Sequence, residues 1–148
     1  MRMLENIIYR GGAETNDARV GTVRALDDAF ELPYIPPVPG PWDGERGTNP
    51  EQLLAAALSI CFHGMLALAL RTRDIESSSD YRVQVEVDLG KDDDGALGLA
   101  ADIAVIGLGV SEEVANEVLG EAFSNCPFCQ AMHNNIRVNV HTLNGGVA

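Results

Sequence analysis

Basic residues and aromatic rings are both scarce in this chain. Its 148 residues include 10 Lys and Arg against 22 Asp and Glu, which gives a formal net charge of −12 at pH 7, and aromatic residues make up only 5%. A chain this acidic is repelled by phosphate backbones and by anionic lipid. We therefore expect no nucleic-acid partner.

Cysteine is also sparse, with three in the whole chain. An odd number does not suit the disulfide framework of a secreted domain. Residues 1–10 lack the charged and then apolar order of a signal peptide. We therefore expect a cytoplasmic protein, in a reducing compartment where any disulfide is transient and catalytic.

The chain is long enough, and apolar enough, for one good core. Hydrophobic residues make up 46% of it. Chains of this length fold as one domain more often than as two. We predict a single domain over residues 1–148.

The longest apolar run extends from Leu53 to Leu70, and a strong helix start precedes it. Asn49 can cap the helix, Pro50 suits its first turn, and Glu51 lies favourably at the positive end of the helix dipole. We predict a helix that ends near Arg71. Because it is apolar on nearly every face, we expect it to be fully buried.

A helix of this kind is buried either in protein or in lipid. The run is at the short limit for a membrane span, which is about 17 residues. Polar or small residues also interrupt its centre: Ser59, His63 and Gly64. We therefore predict a central core helix and no membrane partner.

The N-terminal third has weaker patterns. Leu4–Tyr9 and Ala18–Leu26 predict a hairpin around the polar turn Gly11–Asp17, followed by a short strand near Phe30. The stretch Pro33–Gly47 is rich in proline and glycine, so it predicts an extended surface loop that lines an apolar pocket.

Clearer alternation follows the long helix. Tyr81–Leu89 and Leu97–Val105 each place apolar residues at every second position, which predicts an antiparallel hairpin. Ser111 is placed to cap a second helix, whose apolar stripe, continued by one turn, reaches Cys126. Ile136–Leu143 predicts a final strand.

Two cysteines give the best clue to function. Cys61 lies in the long apolar helix, where an isolated cysteine is usually a packing residue. Cys126 precedes Pro127, which cannot continue a helix and is well suited to begin one. Cys126 is therefore expected at a helix N-cap, where backbone N–H groups lower the pKa of a thiol. Together the two residues suggest thiol redox chemistry.

The segment Cys126-Pro127-Phe128-Cys129 also allows two other readings. A thioredoxin-like site places its C-x-x-C after an N-terminal strand, whereas this one follows a helix near the C-terminus. A zinc site needs four ligands. Only three histidines are available beside the cysteines, without paired spacing: His63, His133 and His141. We favour neither, and expect no metal and no bound cofactor.

Two segments resemble the OsmC/Ohr family of thiol peroxidases. Gly47 to Ala57, followed by Ser59 to Phe62, looks like the signature helix of that family. Cys126 to Phe128, with Asn135-Ile136 leading into a strand, resembles its second cysteine segment. The resemblance implies an α+β fold with antiparallel sheets packed around a long central helix, and an intertwined homodimer. It implies reduction of organic hydroperoxides through a cysteine disulfide, as part of the oxidative stress response.

The resemblance also implies site residues. By position, Cys61 corresponds to the peroxidatic thiol and Cys126 to the resolving thiol. The catalytic glutamate falls on Glu51 and the catalytic arginine on Arg19. The setting of Arg19 lacks the usual glycines, and three other arginines can take its place: Arg10, Arg24 and Arg46.

Many family members have a small polar residue where this chain has Cys129. The extra thiol is either an alternative resolver or a bystander, and we expect a bystander. The resemblance further implies that the reductant is a dithiol, dihydrolipoamide or a lipoylated protein.

Helix geometry adds a constraint of its own. Ten residues separate Glu51 from Cys61, a rise of about 15 Å along one helix. The two side chains cannot meet within one chain, so a shared site would need Glu51 from a second subunit. The alternative from another functional class is a non-catalytic small-molecule-binding dimer of the same fold, whose cysteines serve packing.

Overall fold

The structure is a computed structural model that describes residues 4–143. The fold is α+β, with two three-stranded sheets and one long helix. The chain divides at Pro50 into two compact units, each with its own sheet. The prediction of a single domain over residues 1–148 stays a prediction.

The first unit contains an antiparallel sheet in the order β1-β2-β3. Its strands are β1 (Ala13–Thr15), β2 (Gly21–Ala25) and β3 (Glu31–Tyr34). The strand predicted near Phe30 is confirmed as β3. The strand predicted at Leu4–Tyr9 is wrong, because β2 pairs instead with β1, inside the segment predicted to be a turn. The apolar side chains of Leu4–Tyr9 are exposed to solvent, and Ile8 is 99% exposed.

The proline-rich loop, predicted over Pro33–Gly47, begins after β3, which takes in Pro33 and Tyr34. The indole N–H of Trp42 donates a hydrogen bond to the Val38 carbonyl at 2.7 Å and folds the loop back on itself. Ile35, Val38 and Trp42 are among the residues that line an open hollow of about 350 Å³. The loop is therefore ordered around one aromatic ring.

The second unit contains the long helix and the larger sheet. Its elements are α1 (Pro50–Thr72, whose first residue ends the first unit), β4 (Arg82–Lys91), β5 (Leu97–Ile106), α2 (Glu112–Asn125), α3 (Pro127–Met132) and β6 (Arg137–Leu143). The predicted long helix, hairpin, second helix and last strand are all confirmed. Ser111 caps α2 as predicted, because its side chain accepts a hydrogen bond from the Val114 N–H.

The larger sheet has the order β4-β5-β6. β4 and β5 are antiparallel, with Val83 opposite Val105. β5 and β6 are parallel, with Ala101 opposite Val138, so this pair departs from the antiparallel pairing that was predicted and that the other pairs have. Parallel neighbours need a long crossover connection, usually a helix. α2 and α3 supply that connection.

The main core lies where one face of this sheet meets α1 and α2. Its largest fully buried side chains include three from α1, two from β5 and one from α2: Leu58, Phe62, Leu66, Ile103, Val105 and Val118. The tip of the β4–β5 hairpin extends beyond this core, since Leu97 and Leu99 are exposed although the alternation predicts them to face inward.

Only one face of α1 is covered. Leu58, Phe62 and Leu66 are fully buried, whereas Ile60 on the opposite face is 75% exposed. The prediction of a core helix is confirmed for the first face, and the prediction of burial on nearly every face is wrong for a single chain. Within residues 4–143, α1 is also the one helix long and apolar enough to cross a membrane, a property it shares with core helices.

Candidate active site

Cys61 and Cys126 meet in the second unit. Their Sγ atoms lie 3.4 Å apart, and both thiols are free. Cys61 is half-buried in α1, and Cys126 is fully buried between α2 and α3. The structure thus brings together the two cysteines that the sequence singled out.

Two helix ends fix the position of Cys126. Its N–H donates to the Ala122 carbonyl at 2.9 Å and closes α2. Its Sγ accepts a hydrogen bond from the Cys129 N–H at 3.4 Å and caps α3, in which Pro127 occupies the first turn. The predicted N-cap position is confirmed. A residue held at both its backbone and its side chain presents its sulfur to Cys61 with little freedom.

The chain by itself does not activate Cys61. Burial raises the pKa of the Cys61 thiol, and the hydrogen bond with Cys126 raises it further. The Phe128 N–H lowers the pKa of Cys61, but by less than burial raises it. A positive charge beside the sulfur would favour the thiolate. Among the described residues, none of the causes that shift the pKa of Cys61 is a positive charge.

Cys129 is the third thiol of the cluster. It is fully buried in the first turn of α3. Burial raises its pKa, and a hydrogen bond with Cys126 raises the pKa further. Cys129 is therefore a protonated thiol closed to solvent.

Glu51 lies in the first turn of α1, as predicted. One of its carboxylate oxygens, Oε2, is buried and has no hydrogen-bond partner among the described residues. Leaving a buried charged acceptor unpaired costs more than about 1 kcal/mol. The Glu51 carboxylate is thus suited to a hydrogen-bond donor from elsewhere, and sequence patterns gave no sign of this orphan oxygen.

Arg19 belongs to the first unit, in the exposed turn before β2. The backbone N–H of Arg19 donates to the Asp17 carboxylate at 3.0 Å. Arg24 is engaged by Glu14 and Asp28 in ion pairs, so it is a poorer substitute. The assignment of the catalytic arginine to Arg19 stays a prediction.

The zinc alternative gains no support from the part of the chain that the structure describes. No cluster of three or more His, Cys, Asp and Glu residues in residues 4–143 has a metal-binding arrangement. His63 instead packs against Tyr81, with ring centroids 4.9 Å apart and ring planes tilted by 40°. His63 is thus a packing residue.

Comparisons with known proteins agree on one family. The family model for OsmC-like proteins matches residues 43–141. An organic hydroperoxide resistance protein-like 2 of Staphylococcus epidermidis is 34% identical over 138 residues, covering 93% of this chain and 96% of that protein. The organic hydroperoxide resistance protein OhrB of Bacillus subtilis is 30% identical over 135 residues, covering 90% and 93%.

Solved structures give the same result. The crystal structure of OhrB of Bacillus subtilis matches with a TM-score of 0.83 at 27% identity, covering 93% of this chain and 100% of that one. An organic hydroperoxide resistance protein from Elizabethkingia anophelis matches with a TM-score of 0.79 at 27% identity, covering 97% and 100%. The resemblance seen in the two cysteine segments is confirmed: this chain belongs to the OsmC/Ohr family.

Proposed function

We propose that this protein is a thiol peroxidase that reduces organic hydroperoxides to alcohols. The observation that carries the proposal is the 3.4 Å separation between the Sγ atoms of Cys61 and Cys126. A disulfide needs about 2.05 Å, so a small side-chain movement joins them. The names of the relatives, which concern organic hydroperoxide resistance, support the choice of substrate.

The reaction has two steps within the protein. The Cys61 thiolate attacks the distal peroxide oxygen, the O–O bond breaks, and the alkoxide leaves as an alcohol after taking a proton. Cys61 is then a sulfenic acid. The Cys126 thiol attacks the Cys61 sulfur, water leaves, and a Cys61–Cys126 disulfide remains.

Activation requires a cation, which we assign to Arg19. The raised pKa of Cys61 and the unpaired Oε2 of Glu51 are two separate reasons for a guanidinium at this site. Arginine stays charged at every accessible pH, and its planar fork can bind a carboxylate while it faces a thiolate. Glu51 then holds Arg19, and Arg19 stabilises the Cys61 thiolate.

This arrangement requires two copies of the chain. Glu51 and Cys61 are both on α1, about 15 Å apart along its axis, which is too far for one guanidinium to contact both. The exposed face of α1 offers a surface for a second copy, because the residues along its middle are small or apolar: Ala56, Ile60, Gly64, Ala67 and Leu68. The polar side chains of Gln52 and Arg71 lie at its two ends. We propose an intertwined homodimer in which Glu51 reaches the Cys61 of the other subunit.

An external dithiol must restore both thiols. We propose dihydrolipoamide or a lipoylated protein as this reductant, and the reducing cytoplasm as the compartment. Apolar groups around Cys61 favour alkyl hydroperoxides over hydrogen peroxide.

One observation favours a second candidate, a non-catalytic small-molecule-binding dimer. The pKa of Cys61 is raised in the single chain, and a protonated thiol is a poor nucleophile. This candidate predicts that Cys61 stays protonated at neutral pH in the dimer as well.

A steady-state assay decides between the two. The purified dimer is given cumene hydroperoxide or hydrogen peroxide, with dihydrolipoamide as reductant. We expect turnover that is faster with cumene hydroperoxide. We also expect it to fall to background in Cys61→Ser. Ser124→Ala is the control, since the Ser124 hydroxyl is exposed and bonds to Gly120 in its own helix. No turnover with either peroxide would reject the peroxidase and leave the binding dimer.

A further inference from the structure

The peroxidase cycle leaves Cys129 without a role, although it belongs to the same cluster. Cys126 lies between two thiols. Cys61 approaches it to 3.4 Å, and the N–H of Cys129 reaches the same sulfur at 3.4 Å. The Cys126 side chain also contributes to the raised pKa of Cys129. Cys126 thus lies between the other two cysteines.

Cys126 and Cys129 are placed for a disulfide of their own. They are the N-cap residue and the third residue of α3. Side chains three apart on a helix have Cβ atoms about 5–6 Å from each other, and a disulfide needs about 3.5–4.5 Å. A small adjustment of one helical turn brings them together.

We propose that Cys129 is a second resolving residue, which takes the disulfide over from Cys61. The Cys129 sulfur attacks the Cys126 sulfur of the Cys61–Cys126 disulfide. The bond between Cys126 and Cys61 breaks, the bond between Cys126 and Cys129 forms, and the proton of Cys129 passes to Cys61. The exchange breaks one disulfide and forms another, so it needs no further oxidant. The proposal rests on the peroxidase function, which supplies the first disulfide, and it departs from the bystander role expected from sequence.

Burial explains why Cys129 acts through Cys126 and not directly. Cys129 and Cys126 are fully buried, whereas Cys61 is half-buried. Peroxide therefore meets Cys61 first. In thiol–disulfide exchange the thiol of lower pKa leaves more readily. Burial raises the pKa of both Cys61 and Cys129. Cys129 is the more deeply buried of the two, so it attacks slowly as a protonated thiol but is also the poorer leaving group once its disulfide has formed. The exchange ends with the buried pair oxidised and Cys61 free.

The consequence is a second reduction before any reductant arrives. Cys61, released as a thiol, can attack another hydroperoxide and become a sulfenic acid. A subunit would then reduce two hydroperoxide molecules, whereas a site with one resolving cysteine stops at one. The buried Cys126–Cys129 disulfide would hold the oxidising equivalents of the first turnover until a reductant is available.

A titration without reductant tests this. Fully reduced protein receives increasing cumene hydroperoxide without oxygen, and the peroxide consumed per subunit is measured. We expect two equivalents for the wild type and one for Cys129→Ser and Cys129→Ala. Peptide mass mapping of the wild type after two equivalents should give a Cys126–Cys129 disulfide, with Cys61 trapped by dimedone as sulfenic acid.

Other outcomes separate the two proposals. Consumption that stops at one equivalent in the wild type, with a Cys61–Cys126 disulfide, overturns the second resolver and leaves the peroxidase intact. Two equivalents that end as Cys61 sulfinic acid, with Cys126 and Cys129 still open to alkylation after unfolding, overturn it as well. No consumption by the wild type means that the peroxidase proposal itself fails.

Discussion

The two faces of α1 have the same apolar composition and different surroundings. One face, with Leu58, Phe62 and Leu66, is fully buried in the core of its own chain. The other face, which includes Ile60 and Gly64, is exposed. Cys61 lies on the boundary and is half-buried. The comparison teaches that one apolar helix can have a buried face and an exposed face, and that Cys61 lies where the two faces meet.

The largest expected effect is the loss of activity in Cys61→Ser without loss of the fold. The serine is similar in size and sits at the half-buried boundary. We therefore expect peroxide consumption at background and a free energy of unfolding within about 1 kcal/mol of wild type. Peroxide assays and urea unfolding measure the two quantities. If the variant unfolds, Cys61 is a core residue and does not lie at the boundary between the two faces of α1.

The next effect is on the free energy of unfolding, which should fall for a substitution on the buried face of α1 and change little for one on the exposed face. Phe62→Ala removes a fully buried ring, which costs about 3–5 kcal/mol in a core. Ile60→Ala is the matched control on the exposed face, and the single chain predicts a cost below about 1 kcal/mol for its own unfolding. Urea unfolding measures the free energy of unfolding of both variants.

Sedimentation at low micromolar concentration tests the exposed face as a dimer interface, because Ile60→Asp should shift the dimer towards monomer. A fully active monomer would contradict the shared site.

A smaller effect concerns the cation proposed to reach Cys61. The structure raises the pKa of Cys61 in the single chain, so removing a guanidinium from the site should move this pKa further up. We expect the pH midpoint of Cys61 alkylation to rise in Arg19→Ala and alkylation at neutral pH to slow. Arg19→Lys should keep part of the effect, since lysine retains the charge without the fork.

Arg24→Ala is the control for that experiment, because Arg24 is ion-paired within its own sheet. It should titrate like wild type. A shift in Arg10→Ala or Arg46→Ala, with none in Arg19→Ala, would move the assignment to another arginine. No shift in any variant would reject the activation mechanism.

The smallest effect is at Gly64, in the middle of the exposed face. A Cβ added there meets nothing within 4 Å in the single chain. In an isolated helix, Gly→Ala stabilises by about 1 kcal/mol. Close packing of a second copy would reverse the sign, and we expect Gly64→Ala to weaken the dimer. Sedimentation and urea unfolding at two protein concentrations measure this. If Gly64→Ala stabilises the protein and leaves dimer dissociation unchanged, the interface lies elsewhere.

Local signals predicted most of the second unit. The alternation of Tyr81–Leu89 predicted β4, Ser111 predicted the start of α2, and Pro127 predicted the cap at Cys126. Each of these depends on residues near in sequence, whose steric and hydrogen-bonding preferences act without the rest of the fold. The two cysteine segments likewise predicted that Cys61 and Cys126 belong to one site.

Long-range features were beyond the sequence patterns. The parallel pairing of β5 with β6 depends on where the α2–α3 crossover returns the chain. The segment Leu4–Tyr9, wrongly predicted as a strand, has a strand-like composition but no strand partner among residues 4–143. The unpaired oxygen of Glu51 and the half exposure of α1 are properties of three-dimensional packing. Composition alone does not distinguish a helix buried in one chain from a helix shared by two.

The most direct test of the account is disulfide mapping after one equivalent of cumene hydroperoxide. The protein is Cys129→Ala, in which exchange with Cys129 cannot occur, and free thiols are alkylated under denaturing conditions before peptide mass analysis. The 3.4 Å contact between the sulfurs predicts a disulfide that joins Cys61 to Cys126. Alkylation of both residues after the peroxide has been consumed would contradict the account, because the oxidation would then lie elsewhere in the chain.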